Sequence, residues 1–411
     1  MTGAMYAGIS GLKTHMQNLN VIGHNLANVN TYGYKTQRMI FRESLYGTKV
    51  AGSDGTLTRG GVNPSQIGYG VEVGTIDLNM ASSTYTPTGY PMDCMIDGDG
   101  FFLVGDKDSY QGINSVDDLT KFDLTRLGDF NFDPNGYLVD GAGRCVYGFA
   151  TVQNPNYDPT KPGVEGNDPT IISSQLVPLR LPLAAMDPNA VEINGKPGTW
   201  QTGSAVYPAF NVDPNLDANK ATGATNVDPD KIYTISDPDA TTGKVTITQN
   251  TGNVAKQELG IPTKEGKCVQ LNSIKIGTNG IIQGVNEKTG ETVTIGCLAV
   301  ARVVNPDGVT HVDGPYYRAM EGSGDITVGA PQGALNTKEK PVNFLNNKAT
   351  GNPDEMIGEA SGIRSSGLEA SSADVATEFA SMITTQRGYQ ANTRLITVTD
   401  SMLEELVNMK R

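Results

Sequence analysis

The segment that comes nearest to a chemical motif is Asp97-Gly98-Asp99-Gly100, in which carboxylates alternate with glycines. Alternating carboxylates also begin the calcium loop of an EF-hand, which needs an oxygen ligand at its fifth position and glycine at its sixth. Here Phe101 and Phe102 occupy those positions, and neither side chain has an oxygen. Glycine and aspartate at this spacing are typical of a tight turn, so we predict a turn that leads into a strand.

The other residue types that bind metals or act as nucleophiles are scattered along the chain. No CxxC pair and no zinc-type spacing occurs. Motifs of phosphate-binding loops, dinucleotide-binding turns, zinc proteases and α/β-hydrolases are absent from the sequence. We therefore predict no enzyme activity, no cofactor and no metal site, and we interpret the cysteines as small buried hydrophobic residues. The scattered residues are His15, His24, His311, Cys94, Cys145, Cys268 and Cys297.

The composition is that of a turn-rich protein with an acidic surface. The 411 residues carry a formal net charge of −13, which disfavours binding to nucleic acid or to anionic membranes. The 49 glycines and 22 prolines favour short strands joined by turns. The first residues have no basic start before an apolar core, so we expect no cleaved signal peptide. Apolar runs are also too short to predict membrane insertion.

The first thirty residues have the periodicity of a helix. Apolar side chains recur every three or four positions and form one stripe, and Asn30, Thr31 and Gly33 supply a stop signal. The stripe consists of Met5, Ile9, Leu12, Met16, Leu19, Ile22, Leu26 and Val29.

The last forty residues have a similar pattern, from about residue 373 to 409. We expect Ser371 or Ser372 to cap this helix. The negative charge of Asp374 in the first turn and the positive charges of Lys410 and Arg411 at the end should interact favourably with the helix dipole. Four apolar residues recur every seven positions and four more widen the stripe. These residues are Met382, Tyr389, Ile396 and Leu403, then Phe379, Leu395, Met402 and Leu406.

Neither helix can bury its stripe alone. The stripes can pair with each other as a coiled coil, or with other copies of the chain. The two helices could serve as an assembly element that binds other copies. Alternatively, they could form an ordinary antiparallel helix pair that caps a monomeric domain. We take the stripes as candidate assembly residues: Ile9, Leu12, Met16, Leu19, Ile22, Leu26, Val29, Phe379, Met382, Tyr389, Ile396, Leu403 and Leu406.

Between the two ends, the apolar pattern changes to a period of two that turn residues interrupt, which is typical of β-sandwiches and barrels. The sequence therefore predicts a mainly β, nested chain with α-helical termini. Residues 1–70 and 358–411 form a helical domain with a Gly-rich linker, and residues 71–150 and 268–357 form an inner β domain. Residues 151–267, rich in Pro, Asn, Asp and Thr, form an outer inserted β domain. Expected strands are 70–78, 101–104, 137–139, 231–235, 244–249, 273–276, 281–285 and 292–304.

Both ends resemble the flagellar rod and hook family. The matching segments at the start are GISGL at 8–12, LNVIGHNLAN at 19–28 and TYGYK at 31–35. Those at the end are GLEASSAD at 367–374, QRGYQAN at 386–392 and DSML at 400–403. His24 and Leu26 depart from the family pattern, where Asn and Ile are usual. The resemblance continues inward at residues 96–102, 125–130, 135–139 and 298–308, and no family motif matches residues 151–267.

The resemblance implies a structural subunit that is exported through the flagellar type III apparatus without a cleaved signal peptide. Such subunits assemble under a cap into a hollow helical homopolymer outside the cell, with their terminal helices innermost and mobile in the free monomer. We expect a length of 411 residues to favour a hook subunit, a curved universal joint that transmits torque, over a distal rod subunit. Expected partners are other copies, rod and hook–filament junction proteins, the hook cap and the export apparatus, without nucleic acid or membrane insertion. An alternative from another functional class is a secreted enzyme or sugar-binding protein whose terminal segments resemble those of this family.

Overall fold

The computed structural model describes residues 2–52, 54, 60–107, 116–153, 170–186, 202–206, 233–235, 247–249, 268–287, 289–332 and 358–409. The chain divides into two compact units. Unit 1 comprises Met1–Ala81 and Ala370–Arg411, and unit 2 comprises Ser82–Glu369. The units are nested, because unit 1 is built from both ends of the chain.

Unit 1 contains two long helices and two β-ribbons. Strands β1 and β4 pair antiparallel, as do β2 and β3. β4, which we had assigned to the inner β domain, thus lies with the helices, and β3 lies in the predicted Gly-rich linker. The elements are α1 (Thr2–Ala27), β1 (Gln37–Glu43), β2 (Tyr46–Val50), β3 (Ser65–Gly68), β4 (Val71–Leu78) and α2 (Val375–Met409).

Unit 2 is made of short strands. Its first half contains β5 (Tyr85–Pro87), β6 (Cys94–Asp97), β7 (Phe101–Gly105), β8 (Asp123–Thr125), β9 (Asn131–Phe132), β10 (Leu138–Val139), β11 (Cys145–Gln153), β12 (Thr170–Pro178), β13 (Leu183–Met186), β14 (Thr202–Val206), β15 (Tyr233–Ile235) and β16 (Ile247–Gln249). Its second half contains β17 (Leu271–Ile276), β18 (Ile281–Asn286), β19 (Thr292–Leu298), β20 (Val300–Val303), β21 (Thr310–Asp313), β22 (Tyr316–Arg318), β23 (Ile326–Pro331), β24 (Gly358–Ala360), β25 (Gly362–Ser365) and β26 (Gly367–Glu369).

Fourteen of these strands form one sheet, whose main path runs β17-β18-β19-β11-β7-β20-β23-β24. All its described pairings are antiparallel except that of β23 with β24. The apolar core lies against β7, β11 and β19, with Phe102, Phe130 and Val146 fully buried. The mainly β fold with helical termini is therefore confirmed.

The predicted turn at residues 97–100 is also confirmed. β6 ends at Asp97 and β7 begins at Phe101. Gly98 has φ of +118°, a conformation that residues with a Cβ atom rarely adopt. The turn therefore requires glycine for its backbone, which explains the motif without a metal.

The four cysteines are free and buried, as the sequence predicted. Burial raises the pKa of Cys145 to about 11 and that of Cys297 to about 12. Both thiols stay protonated at neutral pH and are poor nucleophiles.

The predicted outer domain is described only in part. β12 pairs with β11 and thus belongs to the large sheet, while β13–β14 and β15–β16 form separate two-stranded ribbons. Trp200, the Pro- and Asn-rich segments at 154–159, 212–215 and 227–230, and the polar stretch 337–353 lie outside the described residues. The division into three domains stays a prediction.

Candidate assembly surface

The two helices of unit 1 pack against each other in an antiparallel register. Gly8 lies against Leu395 and Ile396, and Gly11 lies against Asn392. Further along, His15 meets Gly388, Asn18 meets Thr385 and Asn25 meets Glu378. Each step of three, four or seven residues along α1 is matched by an equal step back along α2. The predicted pairing of the termini is therefore present within one chain.

The line of contact between the helices is small and polar. Asn18 Nδ2 donates a hydrogen bond to Thr385 Oγ1 at 3.0 Å, and Thr385 is buried. A Cβ atom added to Gly11 would stand 2.7 Å from Asn392 Nδ2. Glycine thus permits the close approach, and the paired polar side chains set the register.

Asn25 joins the end of α1 to α2 and to the start of β1. Its side-chain nitrogen donates to the Gln37 carbonyl and to Glu378 Oε1, both at 2.9 Å. Its side-chain oxygen accepts hydrogen bonds from Tyr34 Oη at 2.9 Å and from the Gln37 N–H at 3.0 Å. Asn25 is buried, and these four bonds use the full capacity of an amide side chain.

The cap of α2 differs from the prediction. Asp374 accepts hydrogen bonds from the N–H groups of Ala376 and Thr377, the bonds expected of an N-cap residue. A hydrogen bond from the Thr377 hydroxyl, followed by these two backbone bonds, lowers the pKa of Asp374. Ser371 and Ser372 are not the cap; Ser372 Oγ accepts from the Thr36 N–H at 2.8 Å instead. Lys410 and Arg411 lie outside the described residues.

The predicted stripe residues mostly flank the contact line. Ile22 is buried, and Ile396 touches Gly8. Three are exposed: Met16, Phe379 and Leu406. The others are half-buried: Ile9, Leu12, Leu19, Leu26, Val29, Met382, Tyr389 and Leu403. Apolar periodicity does not predict the polar residues of the contact line, because their residue types are also common on exposed helix surfaces.

The helix pair exposes further apolar side chains that the stripe did not include. Tyr6 is 64% exposed on α1, although tyrosine is usually at least partly buried. On α2 the additional residues are Val375, Ile383, Val398, Val407 and Met409, and Leu395 and Met402 of the predicted stripe are exposed as well. Exposed apolar side chains that are this frequent on one helix pair mark a candidate interaction site.

The β1–β4 ribbon covers another side of α1. Ser10 Oγ accepts a hydrogen bond from the Val71 N–H, and Thr14 Oγ1 donates to the Val71 carbonyl, both at 3.3 Å. The rings of His15 and Phe41 are 5.4 Å apart. α1 thus contacts α2 on one side and the ribbon on another, while Tyr6 and Met16 remain exposed.

Unit 2 contains a small cavity of about 260 Å³, whose lining includes the polar residues Thr125, Asp129, Asp140 and Tyr316. Tyr316 Oη donates to Asp140 Oδ2 at 2.6 Å, and burial, followed by this bond, raises the pKa of Tyr316 far above its ordinary value. The cavity therefore offers a carboxylate pair and a protonated phenol, without a nucleophile beside a base. Across the described part of the chain, no group of three or more His, Cys, Asp or Glu residues is placed to hold a metal ion.

Among the described residues, no helix is both long and apolar enough to cross a bilayer.

Two family models match the chain, one at each end. The model described as "Flagella basal body rod protein" matches residues 5–35, and "Flagellar basal body rod FlgEFG protein C-terminal" matches residues 364–409. These segments contain most of α1 and all of α2, so the matched family segments are those that pair in unit 1.

Relatives match along the whole chain. Flagellar hook protein FlgE of Borreliella burgdorferi is 26% identical over 480 aligned positions, covering 100% of both chains. Flagellar basal-body rod protein FlgG of Bacillus subtilis is 26% identical over 413 positions, also covering 100% of both. Flagellar hook protein FlgE of Escherichia coli is 25% identical over 99% of this chain and 100% of its own. The crystal structure of Helicobacter pylori flagellar hook protein FlgE2 covers 69% of this chain and 100% of its own at 11% identity, and its TM-score of 0.27 is too low to compare folds.

Proposed function

Since this chain is a flagellar hook or rod protein, we propose that it is the structural subunit of the hook, which polymerises into a curved hollow tube and transmits torque as a universal joint. The observation that carries the proposal is the helix pair of unit 1. Many of its apolar residues are exposed beside the intramolecular contact line, where another copy can bury them. A polymer needs such unsatisfied surface on every subunit.

We assign the assembly role to the predicted stripe. The polar contact line already holds α1 against α2, so the flanking apolar residues remain available for neighbouring copies. Exposed members such as Met16, Phe379 and Leu406 lose the most water on assembly. In this scheme the helix pair forms the inner layer of the tube.

The outer segment, residues 151–267, would provide the bending. A universal joint must resist twist and allow bending. Packed helices near the axis supply the stiffness, and polar, hydrated contacts between outer segments slide at low cost. The Pro-, Asn- and Asp-rich composition of residues 151–267 suits contacts of that kind.

The finer partners and location follow from the same proposal. The subunit would be exported through the type III apparatus, assemble under the hook cap, and connect the rod to the hook–filament junction proteins outside the cell. Its role would be mechanical, with no catalysis and no cofactor.

A rod subunit is the second candidate. The expectation that length favours the hook does not discriminate, because the rod protein of Bacillus subtilis aligns with this chain over 413 positions. The alignment with the hook protein of Borreliella burgdorferi extends over 480 positions. Filament shape separates the two candidates, since a hook is curved and a rod is straight.

Electron microscopy of the purified, polymerised protein tests the proposal. Curved tubes are expected from the whole chain, and straighter tubes from a variant that lacks residues 151–267. Straight tubes from the whole chain would favour the rod. Unchanged curvature in the deletion variant would contradict the role of the outer segment, and a chain that never polymerises would overturn both candidates.

A further inference from the structure

The outer side of α1 carries a line of residues at helical spacing. Tyr6, Ile9, Lys13 and Met16 follow one another at steps of three, four and three. Tyr6 and Met16 are exposed, Lys13 is exposed and Ile9 is half-buried. Steps of three and four place all four side chains on one side of the helix, so the line is apolar with a single cation.

The end of α2 carries a matching line. Leu395, Val398, Met402, Glu405 and Met409 follow at steps of three, four, three and four, and all five are exposed. This line is apolar with a single anion. Both lines have the alternating spacing of a coiled-coil seam, in which apolar residues interlock and flanking charges select the partner.

The charges at the centre of the two lines have no partner within the described chain. Lys13 is the only Lys or Arg in α1, and it forms no ion pair with another described residue. Glu405 likewise forms none. The register of the helix pair explains why they do not meet. Lys13 lies at the level of residue 390, about 22 Å from Glu405 at a rise of 1.5 Å per residue.

We propose that the α1 line of one copy packs against the α2 line of the next copy, with Lys13 and Glu405 forming the ion pair that fixes the register. The inference rests on the proposed homopolymer and names the contact that builds it. Within one copy the helices are antiparallel, so subunits that point the same way also bring α1 and α2 together antiparallel. The neighbouring copies are then displaced by about 22 Å along the helices.

The occupant is a second copy because the two lines complement each other. One is cationic at its centre, the other is anionic, and each is flanked by apolar residues of similar bulk. Two different surfaces that fit each other give a head-to-tail contact, which extends into rings or open helices. A line that fitted only itself would stop at a dimer.

Carbodiimide coupling tests the contact directly. The reagent converts a carboxylate to an O-acylisourea. The Lys13 amine attacks its carbonyl carbon and expels a urea, which leaves an amide without a spacer. Peptide mass spectrometry should find the Lys13–Glu405 amide in polymer and not in monomer, because about 22 Å separates the two residues within one chain. Polymer in which Lys13 couples to other carboxylates and never to Glu405 would overturn the contact and leave the proposed function standing.

Charge reversal tests the energetics of the contact. Lys13→Glu and Glu405→Lys should each raise the critical concentration for polymerisation about tenfold, since each places like charges together. The double variant should return to within about threefold of the wild-type value, because every contact regains opposite charges. Helix content in the monomer should not change.

Neighbouring residues provide matched controls. Glu404→Lys changes the same charge one residue away and off the line, and Arg394→Glu reverses a cation elsewhere on α2. Both controls should polymerise nearly as well as the wild type. Equal defects in Glu404→Lys and Glu405→Lys, or a double variant as defective as the single ones, would overturn the inference. A wild-type chain that stays monomeric would overturn the proposed function, and with it this contact.

Discussion

Asn25 donates a hydrogen bond of 2.9 Å to Glu378, across the interface between the first and last helices of the chain. The same amide nitrogen donates to the Gln37 carbonyl, where β1 begins. One buried side chain thereby fixes the end of α1, the start of the ribbon and the first turn of α2. The bond is worth testing because it joins residues that are 353 positions apart.

Asn25→Asp should destabilise the helix pair. The change keeps the shape of the side chain but replaces two donors by a carboxylate that faces Glu378 and a carbonyl oxygen. We expect a loss of about 3 kcal/mol, because a buried acceptor is left without its donor and like charges approach each other. Denaturant unfolding followed by far-ultraviolet circular dichroism measures the helical transition.

Asn20→Asp is the matched control for this change. Asn20 is exposed on the same helix, so the same chemical substitution removes no buried bond there. Equal losses from the two variants would show that Asn25 has no special role.

Gly11→Ala tests the close approach of the helices. In isolation, alanine stabilises a helix interior by about 1 kcal/mol relative to glycine. At Gly11 the new methyl group would stand 2.7 Å from Asn392 Nδ2, whereas at Gly23 it would meet nothing within 4 Å. We therefore expect Gly11→Ala to be less stable than Gly23→Ala by about 2 kcal/mol, since overpacking has a cost of that size.

A second substitution identifies the clash. Asn392→Ala in the Gly11→Ala background should recover most of the difference in the free energy of unfolding. No recovery, or equal stability of Gly11→Ala and Gly23→Ala, would contradict the tight contact between α1 and α2.

The pattern of the sequence predicted these helices but not the side on which they meet. Apolar periodicity located both helices to within a few residues, since burial of a stripe is the strongest local signal of a helix. The contact line instead uses Gly11, Asn18 and Thr385, whose types are also common on exposed surfaces. The partner of Asn25 is far away in sequence, so no local window contains the bond.

The prediction of the N-cap residue of α2 was wrong for a related reason. Ser371, Ser372 and Asp374 are all good N-cap residues, and propensity alone does not choose among them. Tertiary contact decides, because Ser372 is bonded to Thr36 and Asp374 is left to cap the helix. The strands of unit 2 were easier to predict where an apolar run lies between turn residues, as at β7 and β18, whereas the expected strand 292–304 is divided into β19 and β20.

Arg126→Met should strongly destabilise unit 2. Arg126 Nη1 lies 3.8 Å from Glu369 Oε2, and both side chains are almost fully buried. Arg126 also donates to the Gly98 carbonyl at 2.8 Å. Removing the cation leaves a buried carboxylate without its ion-pair partner, so we expect a loss of about 4 kcal/mol in denaturant unfolding.

The double variant Arg126→Met with Glu369→Met should be more stable than Arg126→Met alone, because it buries no unpaired charge. Arg302→Met, at an exposed position of β20, is the control and should change stability little. A double variant that is less stable than Arg126→Met would mean that Glu369 acts mainly through another contact, such as its bond from the Ser83 N–H.

Asp129 gives unit 2 a pH dependence of defined sign. Burial raises the pKa of Asp129 above its ordinary value, and the nearby carboxylates of Asp140 and Asp93 raise it further. Because the folded pKa exceeds the unfolded one, the folded chain takes up a proton first as the pH falls. This contribution to stability is present below the unfolded pKa and is lost as the pH rises through the folded pKa.

Asp129→Asn removes this titration while keeping an acceptor for the Gly141 N–H. The variant should gain stability relative to the wild type as the pH rises above about 4, the ordinary pKa of an aspartate, because the wild-type carboxylate then becomes charged. Hydrogen–deuterium exchange of peptides from residues 123–150 reports on unit 2 without interference from the helices. Asp325→Asn, at an exposed position, should show no such trend. A difference between Asp129→Asn and the wild type that stayed constant with pH would show that Asp129 titrates alike in the folded and unfolded chains.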